Sequence, residues 1–226
     1  MKLVLKFGGT SLGSPKDINS VARTAASFSK DNEIVVVCSA VDGVTDVLFL
    51  ISRMIEQRKK DAAAKVLDEL ITKHRKLADQ TIKNSTIKKQ LLEKLSTDVS
   101  ELQELVRGLT LLKEVSARSL DYLVSFGERL SDDLVSFALQ DLKKKSTALN
   151  GKEVGIVTDS NFGESRPLMD TTKIRISKTL GPLLSKKIIP VVRGFAADDQ
   201  HGTITTFGRC CPVYTCLLYT AYAAAH

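Results

Sequence analysis

Two spacings of apolar residues alternate along the chain. Lys2 to Phe7 reads as a short strand that runs into Gly8-Gly9. Residues 33–39 contain the unbroken run Ile34-Val35-Val36-Val37-Cys38. A β-branched run without polar interruption predicts a strand buried on both faces of a parallel sheet. Residues 15–30 between them predict a helix, with Ser14 as N-cap and Pro15 at the first helical position. Strand, helix and strand at this spacing make a βαβ unit, whose crossover is right-handed.

The middle of the chain has helical periodicity. Val66, Leu67, Leu70, Ile71, His74 and Leu77 form a stripe over residues 61–81. Asn84-Ser85-Thr86 marks a turn, and Leu91, Leu95, Val99, Leu102, Leu105 and Leu109 continue the stripe over 87–112. Two antiparallel amphipathic helices are expected, with His74 at the surface or boundary of the hairpin. Residues 115–141 read as helical, with a break near Phe126-Gly127. Short strands are expected at 146–149, 154–158 and 172–176, and a helix at 178–187. Ile188 to Phe195 reads as a buried strand. After the turn Asp198-Asp199-Gln200-His201-Gly202, Thr203 to Phe207 reads as another. The alternation predicts a three-layer α/β/α sandwich with a mainly parallel sheet and a helical hairpin inserted at about 61–112.

Composition narrows the function classes. The 226 residues are 43% hydrophobic, enough for a sizeable core. Lys and Arg number 33 against 26 acids, a formal charge of +7, but the charges of residues 56–145 are interspersed as on solvated helix faces. With no Trp and 5% aromatics, a base-stacking surface is not expected, and neither is a nucleic-acid partner. No apolar run reaches the roughly 18–20 residues of a membrane span. The first residues lack the apolar region of a signal peptide, so a cytoplasmic protein is expected. Cys38 reads as a core residue. Cys210, Cys211 and Cys216 do not have the spacing of zinc ligands, and no metal site is expected.

Three segments carry candidate chemistry. Lys6-Phe7-Gly8-Gly9-Thr10-Ser11 leaves the first strand with glycines that allow backbone N–H groups close to an anion, a lysine that can reach phosphate oxygens, and two hydroxyls. A plain tight turn is the alternative. Cys38 to Asp46 follows the second strand, where ligands bind in open α/β sheets; Ser39 and Thr45 could instead cap a helix. Ser125-Phe126-Gly127-Glu128-Arg129-Leu130-Ser131 offers Glu128 to an ammonium group, or as a surface acid paired with Arg129.

Lys6–Ser11 (KFGGTS), Ser39–Leu48 (SAVDGVTDVL), Ser125–Ser131 (SFGERLS) and Pro190–Arg209 (PVVRGFAADDQHGTITTFGR) resemble, in order, the motifs of aspartokinases. Asp159 to Glu164 resembles the aspartate-side loop of that family. The resemblance implies the amino-acid-kinase fold over 1–209 and ATP-dependent phosphorylation of L-aspartate to 4-phospho-L-aspartate, in lysine, threonine and methionine synthesis. It implies Lys6 as the catalytic cation, Phe7, Gly8, Gly9, Thr10 and Ser11 around the phosphates, and Mg2+ accompanying ATP. It assigns Ser39, Thr45, Glu128 and Arg209 to the aspartate and implies a homo-oligomeric parent enzyme. Where the family continues Gly-Gly-Ser-Asp-Tyr-Thr-Ala, this chain has Cys210-Cys211-Pro212-Val213-Tyr214-Thr215-Cys216. The family's catalytic aspartate therefore falls at Val213. Residues 210–226 are expected to be a tail foreign to the family and to the native reading frame, and the chain is expected to be inactive as it stands. The alternatives are a catalytically dead amino-acid-binding fragment and another carboxylate kinase of this fold, such as a glutamate kinase.

Overall fold

The computed structural model describes residues 1–208. Four parallel strands form its main sheet: β1 (Lys2–Phe7), β2 (Glu33–Cys38), β3 (Ser146–Leu149) and, later in the chain, β5 (Ile189–Arg193). Their order is β1-β2-β5-β3, with Leu3 opposite Ile34, Val36 opposite Val191 and Ala148 opposite Val191. Because all four run the same way, their carboxyl ends lie along one edge. A second, smaller sheet has the order β4-β6-β7, where β4 is Val157–Thr158, β6 is Ala196–Asp199 and β7 is Ile204–Thr206. Strands β4 and β6 are parallel, and β6 and β7 are antiparallel.

Strand alternation divides the core into two layers. Ile34, Val36, Cys38, Ile189 and Val191 face a large cluster shared with α1 (Pro15–Phe28), α2 (Val44–Glu56), α3 (Lys60–Thr81), α4 (Ser85–Leu112) and α5 (Ala117–Asp141). Val35, Val37 and Val192 face a smaller cluster with α6 (Gly151–Val154) and α7 (Met169–Ser185). Helices therefore cover both faces of a largely parallel sheet, as expected. No helix among the described residues is long and apolar enough to cross a membrane.

Local signals set most helix ends. The Ser14 hydroxyl accepts from the Asp17 N–H, and Pro15 begins α1. The Asn84 side chain accepts from Thr86 and Ile87, so the expected turn is the N-cap of α4. Asp141, ending α5, accepts from the N–H groups of Lys83 and Asn84 and ties the α3–α4 connection to the helix behind it.

Three expectations fail, and one helix was not anticipated. Helix α5 is unbroken through Phe126-Gly127; the glycine serves close packing, since a Cβ there would lie 2.9 Å from the Ala40 Cβ. Residues 172–176 lie inside α7, where Thr172, Ile176, Leu180 and Leu184 face the core at helical spacing. His74 is fully buried rather than at the surface, because it falls on the same stripe as Leu67, Leu70, Ile71, Leu77 and Ala78. Helix α2 is absent from the sequence reading, although Val44, Leu48, Ile51 and Ile55 recur at helical spacing.

Candidate active site

The three motif segments meet at the carboxyl edge of the main sheet. Beyond β1, Gly9 sits against the loop after β2: a Cβ there would be 3.0 Å from the Ala40 carbonyl and 3.4 Å from the Asp42 Cα. Only glycine permits that approach without a shift of backbone. The ladder continues past both strand ends, with Ser39 N–H donating to the Phe7 carbonyl at 3.1 Å and Gly194 N–H to the Cys38 carbonyl at 3.1 Å. Helix α5 lies across this junction. The Ser131 hydroxyl is shared between the carbonyls of Ser39 (2.7 Å) and Glu128 (2.9 Å).

Glu128 is the chemical centre of the cluster. Its side chain leaves α5 one residue after the glycine that packs on Ala40, and the residue is 2% exposed. One carboxylate oxygen accepts from Gly194 N–H at 3.2 Å; the other accepts from Phe195 at 2.9 Å and Ala196 at 3.2 Å. Burial pushes its pKa up to about 7, against the downward pull of these N–H groups and of Arg193. Glu128 is not a surface acid paired with Arg129. Arg129 turns away to α4, where its Nε donates to Asp98 at 2.8 Å and its terminal nitrogen to Glu101. The oxygen facing Gly194 accepts one hydrogen bond and keeps capacity for another donor.

The other site residues are distributed around this centre. Lys6 is exposed near the end of β1, and Phe7 packs on the main core. Around Gly8 the space is open, since an added Cβ would meet nothing within 4 Å. Thr10 and Ser11 lie in the short 3-10 turn Gly9–Leu12, in which Ser11 N–H donates to the Gly8 carbonyl at 3.0 Å. Thr45 is half-buried in the first turn of α2, but Gly43, at φ 75°, occupies the N-cap, so neither Ser39 nor Thr45 caps that helix. Lys6–Ser11, Ser39, Thr45 and Glu128 thus converge on one edge of the sheet. Arg209 and Val213 lie outside the described residues.

Several buried acids around the site are given no chemical role by the sequence reading. Asp121, two turns before Glu128 on α5, accepts from Gly163 N–H (2.9 Å), Thr206 N–H (2.9 Å) and the Thr206 hydroxyl (2.7 Å). It thereby fixes the Ser160–Gly163 loop and β7 to the helix that carries Glu128. Asp199 does similar work in the β6–β7 turn, accepting from His201 and Thr203 N–H and from the Ser160 hydroxyl. One turn beyond Glu128, Asp132 meets Arg193 at 3.3 Å. The available signal was the spacing 121, 128, 132 on the buried face of a largely apolar helix, a pattern that requires partners for each carboxylate.

Comparison with known proteins identifies the family and the fold. Residues 1–213 match the Amino acid kinase family. Aspartokinase 3, chloroplastic, of Arabidopsis thaliana is 30% identical over 209 residues, covering 91% of this chain and 36% of the relative. The aspartokinase of Helicobacter pylori is 30% identical over 210 residues, covering 92% and 37%. The chain thus spans little more than a third of the length of these curated relatives. Among solved structures, E. coli aspartokinase III in complex with aspartate and ADP superposes with a TM-score of 0.87 at 23% identity, over 99% of this chain and 47% of that one. With the family matched over nearly the whole length and the same fold found in a solved aspartokinase, this chain belongs to the amino acid kinase family.

Proposed function

We propose that this chain carries the aspartate-binding part of an aspartokinase, an enzyme that transfers the γ-phosphoryl group of ATP to the side-chain carboxylate of L-aspartate in lysine, threonine and methionine synthesis. The observation that carries the reading is the buried Glu128 carboxylate, held by three backbone N–H groups at the junction where the Gly8-Gly9 and Ser39 segments meet. A desolvated carboxylate with spare acceptor capacity is suited to an α-ammonium group. Ser39 and Thr45 would supply hydroxyl contacts to the amino acid, and Arg209 a bidentate partner for a carboxylate. A solved relative in the same fold, E. coli aspartokinase III, holds aspartate and ADP, which supports an amino-acid and nucleotide ligand for this fold.

The nucleotide contribution is limited to one loop. The exposed Lys6 ammonium and the open space around Gly8 fit the phosphates of ATP, with Thr10 and Ser11 beside them. Lys6 would stabilise charge on the transferring phosphoryl group, which is the chief task in this kind of transfer. Among the described residues no cluster of acids and histidines could hold a metal ion. Mg2+ would therefore be held mainly by the nucleotide phosphates, where it neutralises charge. Cytoplasmic location and a homo-oligomeric parent belong to the same reading.

Val213 favours a narrower second reading, an amino-acid-binding chain without turnover, because valine cannot orient a charged group. Calorimetry with L-aspartate and L-glutamate, paired with aspartate-dependent ADP formation, separates the possibilities. Aspartate binding without turnover is the expected result. Turnover would overturn the expected inactivity, tighter binding of glutamate would overturn the substrate, and binding of neither would overturn the site.

A further inference from the structure

A second polar cleft, of about 350 Å³, is bordered by Arg193 and Asp132 but not by Glu128. Its volume is in the range of small-molecule sites. It opens at the carboxyl ends of β3 and β5, so it shares the ligand-binding edge of the sheet with the Ser39–Glu128 junction but uses different side chains. Asp132 and Asp133 of α5 line it together with Arg193, Lys152 and Asp198.

The Asp132 side chain is 3% exposed. One of its oxygens meets Arg193 Nε at 3.3 Å, and the other is buried without a hydrogen-bond partner among the described residues. A desolvated carboxylate oxygen left in that condition is unfavourable unless a donor reaches it. Asp133 is also incompletely neutralised: Lys94 stands 3.8 Å away and is committed to both oxygens of Asp98 at 2.9 and 3.0 Å. Burial, together with the neighbouring Glu128 and Asp133 charges, pushes Asp132 well above the usual carboxylate range despite Arg193. Arg193 lines the cleft and uses Nε for Asp132, and among the described residues its guanidinium makes no other hydrogen bond.

A carboxylate oxygen lacking a donor, next to a guanidinium with donors to spare, is complementary to a ligand with an ammonium next to a carboxylate. We infer that this cleft is a second binding site, for the zwitterionic head of a free α-amino acid. Its ammonium meets the unpartnered Asp132 oxygen, and its carboxylate meets the outer N–H groups of Arg193. A metal ion is a poorer match, because among the described residues no group of three acids or histidines is arranged to hold one. The inference does not depend on the substrate proposed for the Glu128 junction.

Amide chemical-shift mapping on the full chain tests it, with L-alanine as the zwitterion and ethylamine and acetate as its separated halves. Saturable shifts at residues 148–153 and 193 with alanine, larger than with either half, are expected. Asp132→Asn, which keeps the shape and the Arg193 contact, should weaken alanine binding by about tenfold or more through loss of a charge-assisted hydrogen bond. Far-UV circular dichroism shows whether that variant is folded, and Asp133→Asn provides a second variant that should weaken binding less. The site is overturned by an absence of saturable shifts, by shifts confined to residues 39–45 and 128, or by unchanged affinity in folded Asp132→Asn. Ethylamine alone reproducing the alanine shifts would overturn the part given to Arg193. A loss of aspartate binding at the Glu128 junction would leave these outcomes unaffected, since they are read at different amides.

Discussion

His74 gives the sharpest test of the buried helical layer. It sits fully buried on α3, with Nδ1 2.9 Å from the Leu70 carbonyl and Nε2 without a partner among the described residues. A carbonyl can only accept, so Nδ1 carries the proton and Nε2 is a buried acceptor with no donor. Burial lowers the pKa to about 4, outweighing the Leu70 hydrogen bond. The folded protein therefore takes up this proton later than the unfolded chain, whose histidine titrates near 6.5. Stability from the neutral, buried ring is fully present above about pH 6.5 and is lost as pH falls towards 4. At pH 5 the loss amounts to roughly 2 kcal/mol, and it approaches about 3 kcal/mol below pH 4. His74→Leu removes the titrating group and the orphaned acceptor while filling similar space, and the Leu70 carbonyl keeps its place in the helical ladder. Urea unfolding of both proteins at pH 7.5, 6 and 5 measures the difference. The variant should be at least as stable at pH 7.5, and its advantage should grow by about 2 kcal/mol by pH 5. Glu128 and Asp133, whose raised pKa values work in the opposite direction, are common to both proteins and cancel. An advantage that stays constant across this range would refute the burial of a neutral ring.

Substitutions at two further positions probe the site's support. Gly127→Ala places a Cβ 2.9 Å from the Ala40 Cβ and close to Leu48 and Val44, so α5 must move off the β2 loop; a loss of about 1–3 kcal/mol in urea unfolding is expected, with weaker aspartate binding by calorimetry. Asp121→Ala strips the acceptors from two N–H groups and a hydroxyl and should cost about 3 kcal/mol, whereas Asp121→Asn should cost less than about 1 kcal/mol, because its oxygen can serve Gly163 and Thr206 while the Thr206 hydroxyl reverses to accept from the new amide. Equal losses in the two Asp121 variants, measured by the same unfolding assay, would contradict this account of the loop anchor.

The parallel sheet was legible because its strands carry local signatures. The unbroken apolar run of β2 can be buried only on both faces, and Ser14-Pro15 and Asn84 mark helix starts through their own side chains. The errors occur where an element is defined by what packs on it. A glycine at 127 looks like a break until Ala40 is known to lie against it, and a β-branched Thr172 to Ile176 segment looks like a strand until its opposite faces are compared. The motif at residues 39–48 overlaps the first turns of α2, whose helical spacing of Val44, Leu48 and Ile51 extends beyond it. Site membership was similarly divided. Lys6–Ser11, Ser39, Thr45 and Glu128 came from the motifs, while Asp121, Asp132 and Arg193 act through contacts separated by 42 to 85 residues in sequence, whose partners no local pattern reveals.

The two influences on Glu128 make the proposed substrate contact sensitive to pH. Three N–H groups favour its charged form, but burial dominates and leaves the carboxyl with a pKa of about 7. Its unfolded value is near 4.5, so between those values the folded chain holds a proton that the unfolded chain has released; the stability linked to this group is greatest below pH 4.5 and declines as pH rises towards 7. Above pH 7 the site contains a desolvated charge short of a countercharge, the condition that an ammonium group relieves. Binding an ammonium selects the ionised form, so aspartate should expel a proton from Glu128. At pH 6.5 the release should be roughly three-quarters of a proton, falling towards zero by pH 8.5, and affinity should weaken as pH drops through 7. Calorimetry in two buffers of different ionisation enthalpy measures the proton count directly. Glu128→Gln should abolish the release as well as weaken binding, which distinguishes loss of the titrating group from simple distortion of the β5–β6 turn. Aspartate binding with no proton release at pH 6.5 would show that the ammonium does not contact this carboxylate.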